Sequence, residues 1–165
     1  MKVFESDVLE LVLALAQAVR AAGLKLASAE SCTGGLIAVA CTAVAGSSDW
    51  FERGFVTYSN QAKVEMLGVA AWLIAAHGAV SEPVARAMAE GALARSHAQL
   101  AIAVTGIAGP GGAVPGKPVG TVWLAIARTG RATQAEMLHF SGDRAAVREQ
   151  TVRLGLQRLL ACVSD

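Results

Sequence analysis

The run Leu24-Lys25-Leu26-Ala27-Ser28-Ala29-Glu30-Ser31-Cys32-Thr33-Gly34-Gly35-Leu36-Ile37-Ala38-Val39-Ala40-Cys41 decides the architecture of this chain. An apolar stretch breaks at small polar residues and two glycines, then resumes as a second apolar stretch. That is the pattern of a strand turning sharply into a helix. In an open α/β sheet such turns lie at the carboxyl ends of strands, where ligands bind. Gly34 and Gly35 permit the tight turn and a close approach by a ligand. A new helix N-terminus also offers unpaired N–H groups to an anion or a developing oxyanion. Ser31 stands just ahead of the turn, placed like a nucleophile. The local sequence leaves a second role open, in which Ser31 or Thr33 caps the helix.

The rest of the chain bounds what such a turn can serve. With 165 residues, 54% of them hydrophobic and 16% charged, a single domain over residues 1–165 with a substantial core is expected. Only 5% of residues are aromatic, and alanine is abundant, which favours closely packed helices. Lys and Arg number 14 against 13 Asp and Glu. That balance argues against nucleic acid as the main partner, because phosphate neutralisation needs a basic surface. Cys32, Cys41 and Cys162 follow no ligand spacing and His77, His97 and His139 are scattered, so no metal site, cofactor or disulfide framework is expected. The acidic start at Glu5 and Asp7 is unlike a signal peptide, and no apolar run reaches the eighteen or so residues of a membrane span. A cytoplasmic protein without a membrane partner is the expectation, and the apolar composition makes a homo-oligomer reasonable.

Apolar residues at Val8, Leu11, Val12, Leu15 and Val19 predict an amphipathic helix from Asp7 to Ala22, ended by Gly23. A strand follows over 25–28 and a buried helix over 35–43, with Ser47 and Ser48 as caps of a short turn at 49–51. The β-branched and aromatic segment 54–58 reads as a strand, and Ser59-Asn60 as the start of a helix ending at Gly68. Tyr58 at the strand end and Lys63 one turn into the helix can point to the same sheet edge as Ser31. Each has an ordinary reading beside that one: a rim tyrosine and a solvated helix lysine. A short helix over 70–76 closes at His77-Gly78, and Ser81-Glu82-Pro83 opens a helix to about Ser96.

Leu100 to Val104 is a continuous apolar run, as in a central strand covered on both faces. It leads to Thr105 and a second glycine-rich loop, Gly106-Ile107-Ala108-Gly109-Pro110-Gly111-Gly112. The loop matches neither the Walker A pattern nor the dinucleotide fingerprint. Two such loops after two strands suggest a shared ligand cleft, or else a flexible surface connection. Segments 119–127 and 133–140 read as a hairpin, and a final helix starts near Ser141-Gly142-Asp143. Arg144 and Arg148 share a face of that helix beside its N-terminus, where they can clamp a phosphate or carboxylate or simply meet solvent.

Four of these stretches occur together and in order: Ala29 to Gly35; Gly54 to Asn60 with Lys63 and Leu67-Gly68-Val69; Val104 to Gly112 with Lys117-Pro118-Val119-Gly120; and Phe140-Ser141-Gly142-Asp143-Arg144. The series resembles the CinA C-terminal domain family, whose characterised members are nicotinamide-nucleotide amidases, over roughly residues 5 to 162. The resemblance implies a three-layer α/β/α sandwich around a mixed sheet and the stand-alone form of the domain. It implies hydrolysis of the carboxamide of nicotinamide mononucleotide to nicotinic acid mononucleotide and ammonia, a pyridine-nucleotide salvage step. It matches Ser31 to the nucleophile, Lys63 to the base, Tyr58 to an accompanying hydroxyl and Arg144 to a site-associated motif position. Ala113-Val114 departs from the glycine and hydroxyl residue that many relatives carry.

The chemistry agrees with that assignment. An amide carbon is a poor electrophile, so a serine must lose its proton as it attacks, and a lysine base has to be neutral to take it. Burial or a nearby positive charge such as Arg144 would lower its pKa. Backbone N–H groups of Thr33, Gly34 and Gly35 are the expected oxyanion donors. Thr105, Gly106 and Gly109 are expected to shape the ribose-phosphate pocket. Two rivals stand beside this reading: Cys32 as nucleophile, since a thiolate at a helix N-terminus is activated, and a non-catalytic pyridine-nucleotide sensor.

Overall fold

Alternating large and small apolar side chains sort the two faces of a central sheet. The computed structural model describes residues 4–165; the first three residues of the expected 1–165 domain lie outside it. Its strands are β1 (Leu26–Glu30), β2 (Phe51–Val56), β3 (Leu100–Gly106), β4 (Thr121–Arg128) and β5 (Gln134–His139). They lie in the order β2-β1-β3-β4-β5. β1 runs parallel to β2 and β3, whereas β4 is antiparallel to both β3 and β5.

Along β3, Leu100, Ile102 and Val104 join one core, and Ala101 and Ala103 join the other. On β4, Leu124 and Ile126 likewise oppose Ala125 and Ala127, the period-two separation of a strand buried on both faces. The large-residue face is covered by α1 (Ser6–Ala21), α2 (Leu36–Thr42) and α6 (Arg144–Ser164). The alanine face carries α5 (Glu82–Ala94), with α3 (Asn60–Leu67) and α4 (Ala71–His77) packed against it. The expected three-layer α/β/α sandwich around a mixed sheet is therefore the observed fold. Packing on the alanine side is close. A Cβ at Gly91 of α5 would stand 2.1 Å from the Leu67 carbonyl oxygen at the end of α3.

Most element ends agree with the sequence to within one or two residues, and the exceptions have physical causes. β1 continues to Glu30 because Ala29 and Glu30 still pair with Phe55 and Val56 on one side and Ala103 and Val104 on the other. β2 begins three residues early, through the polar pair Glu52-Arg53 of an edge strand, and ends at Val56, leaving Tyr58 two residues beyond it. Neither Ser47 nor Ser48 caps the short 3-10 turn Ser47–Asp49; Gly46 holds that position. Ser59 and Asp143 do cap, accepting from the N–H groups of Ala62 at 3.0 Å and Ala146 at 2.9 Å. No helix among the described residues is long and apolar enough to cross a membrane.

Candidate active site

The turn after β1 is built around a buried carboxylate. The N–H of Ser31 donates to the Val104 carbonyl at 3.0 Å, which extends the β1–β3 pairing one residue past the strand. The chain then reverses through Gly34 (φ +61°) and Gly35 (φ +102°), conformations that side chains with a Cβ rarely adopt. Glu30, the last residue of β1, turns its carboxylate into the start of α2. Oε2 accepts from the Thr33 hydroxyl (2.6 Å) and the N–H groups of Gly35 (3.1 Å) and Ile37 (3.0 Å). Oε1 accepts from the Ala38 N–H (2.9 Å) and the Ser28 hydroxyl (3.2 Å).

This corrects two expectations. Neither Ser31 nor Thr33 caps α2, because Glu30 does, and the Thr33 hydroxyl donates its hydrogen bond to Glu30. Nor do the N–H groups from Thr33 to Gly35 all await a ligand: that of Gly34 donates to the Ser31 carbonyl and that of Gly35 to Glu30. Among the described residues, the Thr33 N–H has no acceptor, and the Cys32 N–H meets only its own thiol.

Lys63 reaches this turn from α3, whose start the Ser59 cap fixes. Its side chain is 1% exposed. Nζ lies 3.1 Å from Ser31 Oγ, 2.7 Å from the Thr57 carbonyl and 3.4 Å from the Tyr58 carbonyl. A neutral amine has two N–H donors and one lone pair. Nζ donates to all three oxygens in the charged form, and on losing a proton it keeps donors for the two carbonyls and turns a lone pair to the Ser31 hydroxyl. No carboxylate pairs with Lys63 among the described residues. Burial accordingly holds its pKa below the ordinary lysine value, with the Cys32 thiol as a weaker opposing influence. Of the two causes the sequence offered, burial is the one that lowers it, and Arg144 is not among its influences.

Arg144 is engaged elsewhere. Its guanidinium donates to the Gly109 carbonyl at 3.0 Å and to the Tyr58 hydroxyl at 2.8 Å. Tyr58 is 60% exposed; its backbone carbonyl, not its hydroxyl, meets Lys63. Arg148, one turn along α6, donates to the Thr33 carbonyl at 3.1 Å and so ties that helix to the Ser31 turn. Thr105, at the end of β3, is buried and donates its hydroxyl to the Ala79 carbonyl at 3.0 Å. Lys117 anchors the second glycine-rich loop by donating to the His77 carbonyl at the end of α4 at 2.8 Å. Between that loop and the start of α6 lies a cleft of about 520 Å³ lined by Ala108, Pro110, Val119, Asp143, Arg144 and Arg148, among others. Ser31 is not in its lining; Arg148 joins the two places.

Two buried polar atoms at this end of the sheet lack partners, the Thr57 hydroxyl and Arg148 Nε. Orphans of this kind cost about 1–3 kcal/mol each. The Cys32 thiol is buried, and its pKa is pushed up to about 11 by desolvation, with a further rise from Glu30. The helix start that was expected to activate it is filled by that same carboxylate. Glu30, Arg148's bond to the turn and Lys117's anchor went unassigned in the sequence. An acidic residue directly before a strand-to-helix turn is a capping signal and was readable for Glu30; the other two depend on contacts distant in the chain.

The family model described as the CinA C-terminal domain matches residues 9–163. The chain is 50% identical over 155 residues to nicotinamide-nucleotide amidohydrolase PncC of Escherichia coli K12, covering 94% of both chains. It is 57% identical over 137 residues to a CinA-like protein of Akkermansia muciniphila, of whose length it spans only 33%. The crystal structure of the competence/damage inducible protein CihA of Agrobacterium tumefaciens superposes with a TM-score of 0.95 at 45% identity, with both chains fully covered.

Proposed function

The chain belongs to the CinA C-terminal domain family, and on that premise we propose that it is an amidase acting on nicotinamide mononucleotide with Ser31 and Lys63 as nucleophile and base. The observation that carries this reading is the 3.1 Å contact between Ser31 Oγ and a buried Lys63 amine that has no carboxylate partner among the described residues. The 50% identity to nicotinamide-nucleotide amidohydrolase PncC of Escherichia coli, over 94% of both chains, supports the substrate.

In this mechanism Ser31 Oγ attacks the carboxamide carbon as its proton passes to Lys63 Nζ. The carbonyl π electrons move to oxygen, and the N–H groups of Cys32 and Thr33 receive the oxyanion. Collapse of the tetrahedral intermediate breaks the C–N bond, and the Lys63 proton leaves with ammonia. A water molecule then attacks the Ser31 ester, Lys63 takes its proton, and the acid is released as Ser31 is reprotonated. The ribose phosphate lies toward the cleft lined by Arg144 and Arg148, whose volume falls within the roughly 300–1,000 Å³ of small-molecule sites. Nicotinic acid mononucleotide as product makes this a salvage step. The intact Ser31–Lys63 contact favours this over a non-catalytic sensor, and the raised Cys32 pKa favours Ser31 over Cys32.

Ammonia release from nicotinamide mononucleotide tests the proposal. Wild type should turn over, and Ser31→Ala and Lys63→Ala should each lose at least about 10³-fold in kcat. Binding of the mononucleotide without ammonia release by wild type would identify a sensor instead.

A further inference from the structure

Glu30 stands next to the proposed nucleophile, is 1% exposed, and takes no part in the steps above. Its carboxylate nevertheless accepts from three backbone N–H groups and two hydroxyls, and every partner lies within eight residues of it along the chain. An ionised carboxylate is acceptor-only, so all five contacts are used in one sense. The effect is a division of the donors of one turn. Gly35, Ile37 and Ala38 are committed to Glu30 and Gly34 to the Ser31 carbonyl, which leaves Thr33 uncommitted and Cys32 facing only its own weakly accepting thiol.

We propose that Glu30 is a positioning residue for the amidase reaction: its carboxylate occupies the start of α2 and sets the Ser31–Gly35 turn so that the Cys32 and Thr33 N–H groups are held for the oxyanion. This rests on the amidase reading. Two features make the carboxylate specific to the task. The Thr33 hydroxyl bond to Oε2, at 2.6 Å, fixes the residue that carries one of the two donors. Filling the helix start with the protein's own charge also denies that place to the substrate's phosphate, so an anionic substrate cannot dock upon the nucleophile in the wrong sense. Preorganised donors matter in proportion to the charge that develops on the oxygen, and one such donor is worth about 10²–10³ in kcat.

The test compares turnover of nicotinamide mononucleotide with that of its thioamide analogue, in which sulfur replaces the carbonyl oxygen and accepts hydrogen bonds poorly. In Glu30→Gln the amide must set its NH2 against a donor. We expect kcat on the amide to fall about 100-fold with KM within about 3-fold, and the preference for amide over thioamide to shrink about 10-fold. A role in stability alone lowers both substrates equally and leaves the preference unmoved, which would overturn the proposal. If Glu30→Gln does not fold, Thr33→Val, which removes the shortest of the five bonds and keeps the carboxylate, should shrink the preference in the same direction. Glu30→Asp should recover part of it. Wild-type turnover with an unchanged preference in both variants overturns the Glu30 assignment alone, whereas no wild-type turnover overturns the amidase reading with it.

Discussion

In the proposed reaction, Lys63 is the residue whose protonation state decides the chemistry. Its pKa is lowered by burial from an ordinary value of about 10.4. A base must be unprotonated to act, so kcat/KM should rise with pH along a limb whose midpoint lies below that ordinary value. A pH–rate profile checks this, and a limb at the ordinary lysine value would count against Lys63 as the base. The same shift is a stability statement. Between the folded and unfolded pKa values the folded protein binds fewer protons than the unfolded chain, so stability rises with pH across that window. Below the window the buried ammonium is at its full cost. In urea titrations, wild type should therefore gain on Lys63→Met as pH rises toward about 10.4. Ser31 and Lys63 were legible as candidates because each sits at a fixed offset from a local start signal, the glycine pair and the Ser59 cap. The work of Glu30 was hidden, since its five donors converge only once the turn has closed.

At the scale of elements, α3 holds Lys63 and is held in turn by α5. The contact is tight where Gly91 passes the Leu67 carbonyl, and a Cβ there would need one helix to move. Gly91→Ala is expected to destabilise by about 1–3 kcal/mol through overpacking. It should also lower kcat by shifting Lys63 against Ser31, with the two effects read from denaturant unfolding and from ammonia release. The glycine reads from sequence only as a helix-weakening residue in an alanine-rich run, and the neighbour that demands it lies 24 positions earlier. The Tyr58–Arg144 bond joins residues 86 apart in the chain, which is why the sequence left the role of Arg144 open between an anion and Lys63. β2 was misplaced for the opposite reason: Glu52 and Arg53 look like a loop until β1 pairs beside them.

For the whole molecule, the sheet has a bulky face and an alanine face, and the helices sort accordingly. The sequence showed Leu100 to Val104 as a buried strand; which side would receive which helices depends on the crossovers around it. A test of the sorting is Ala103→Val, on the side facing α5. It should cost about 1–3 kcal/mol while the midpoint of the pH–rate profile stays in place, because Ala103 lies in the alanine-side core beneath α5 and touches none of the groups assigned to the reaction. Urea midpoints and the profile together decide this.

Charge is spread unevenly over a nearly neutral chain. Arg20, Arg53, Arg86, Arg153 and Arg158 each pair with a carboxylate. Arg144 and Arg148 bind only carbonyl oxygens and a phenol among the described residues, and Asp143 is the one acid in the lining of their cleft. No carboxylate among the described residues therefore neutralises either charge in an ion pair. A phosphate-bearing molecule diffusing past meets a local attractive field that the net charge of +1 conceals. Capture from solution then becomes faster than for an uncharged analogue, and dissolved salt slows it as the Debye length contracts.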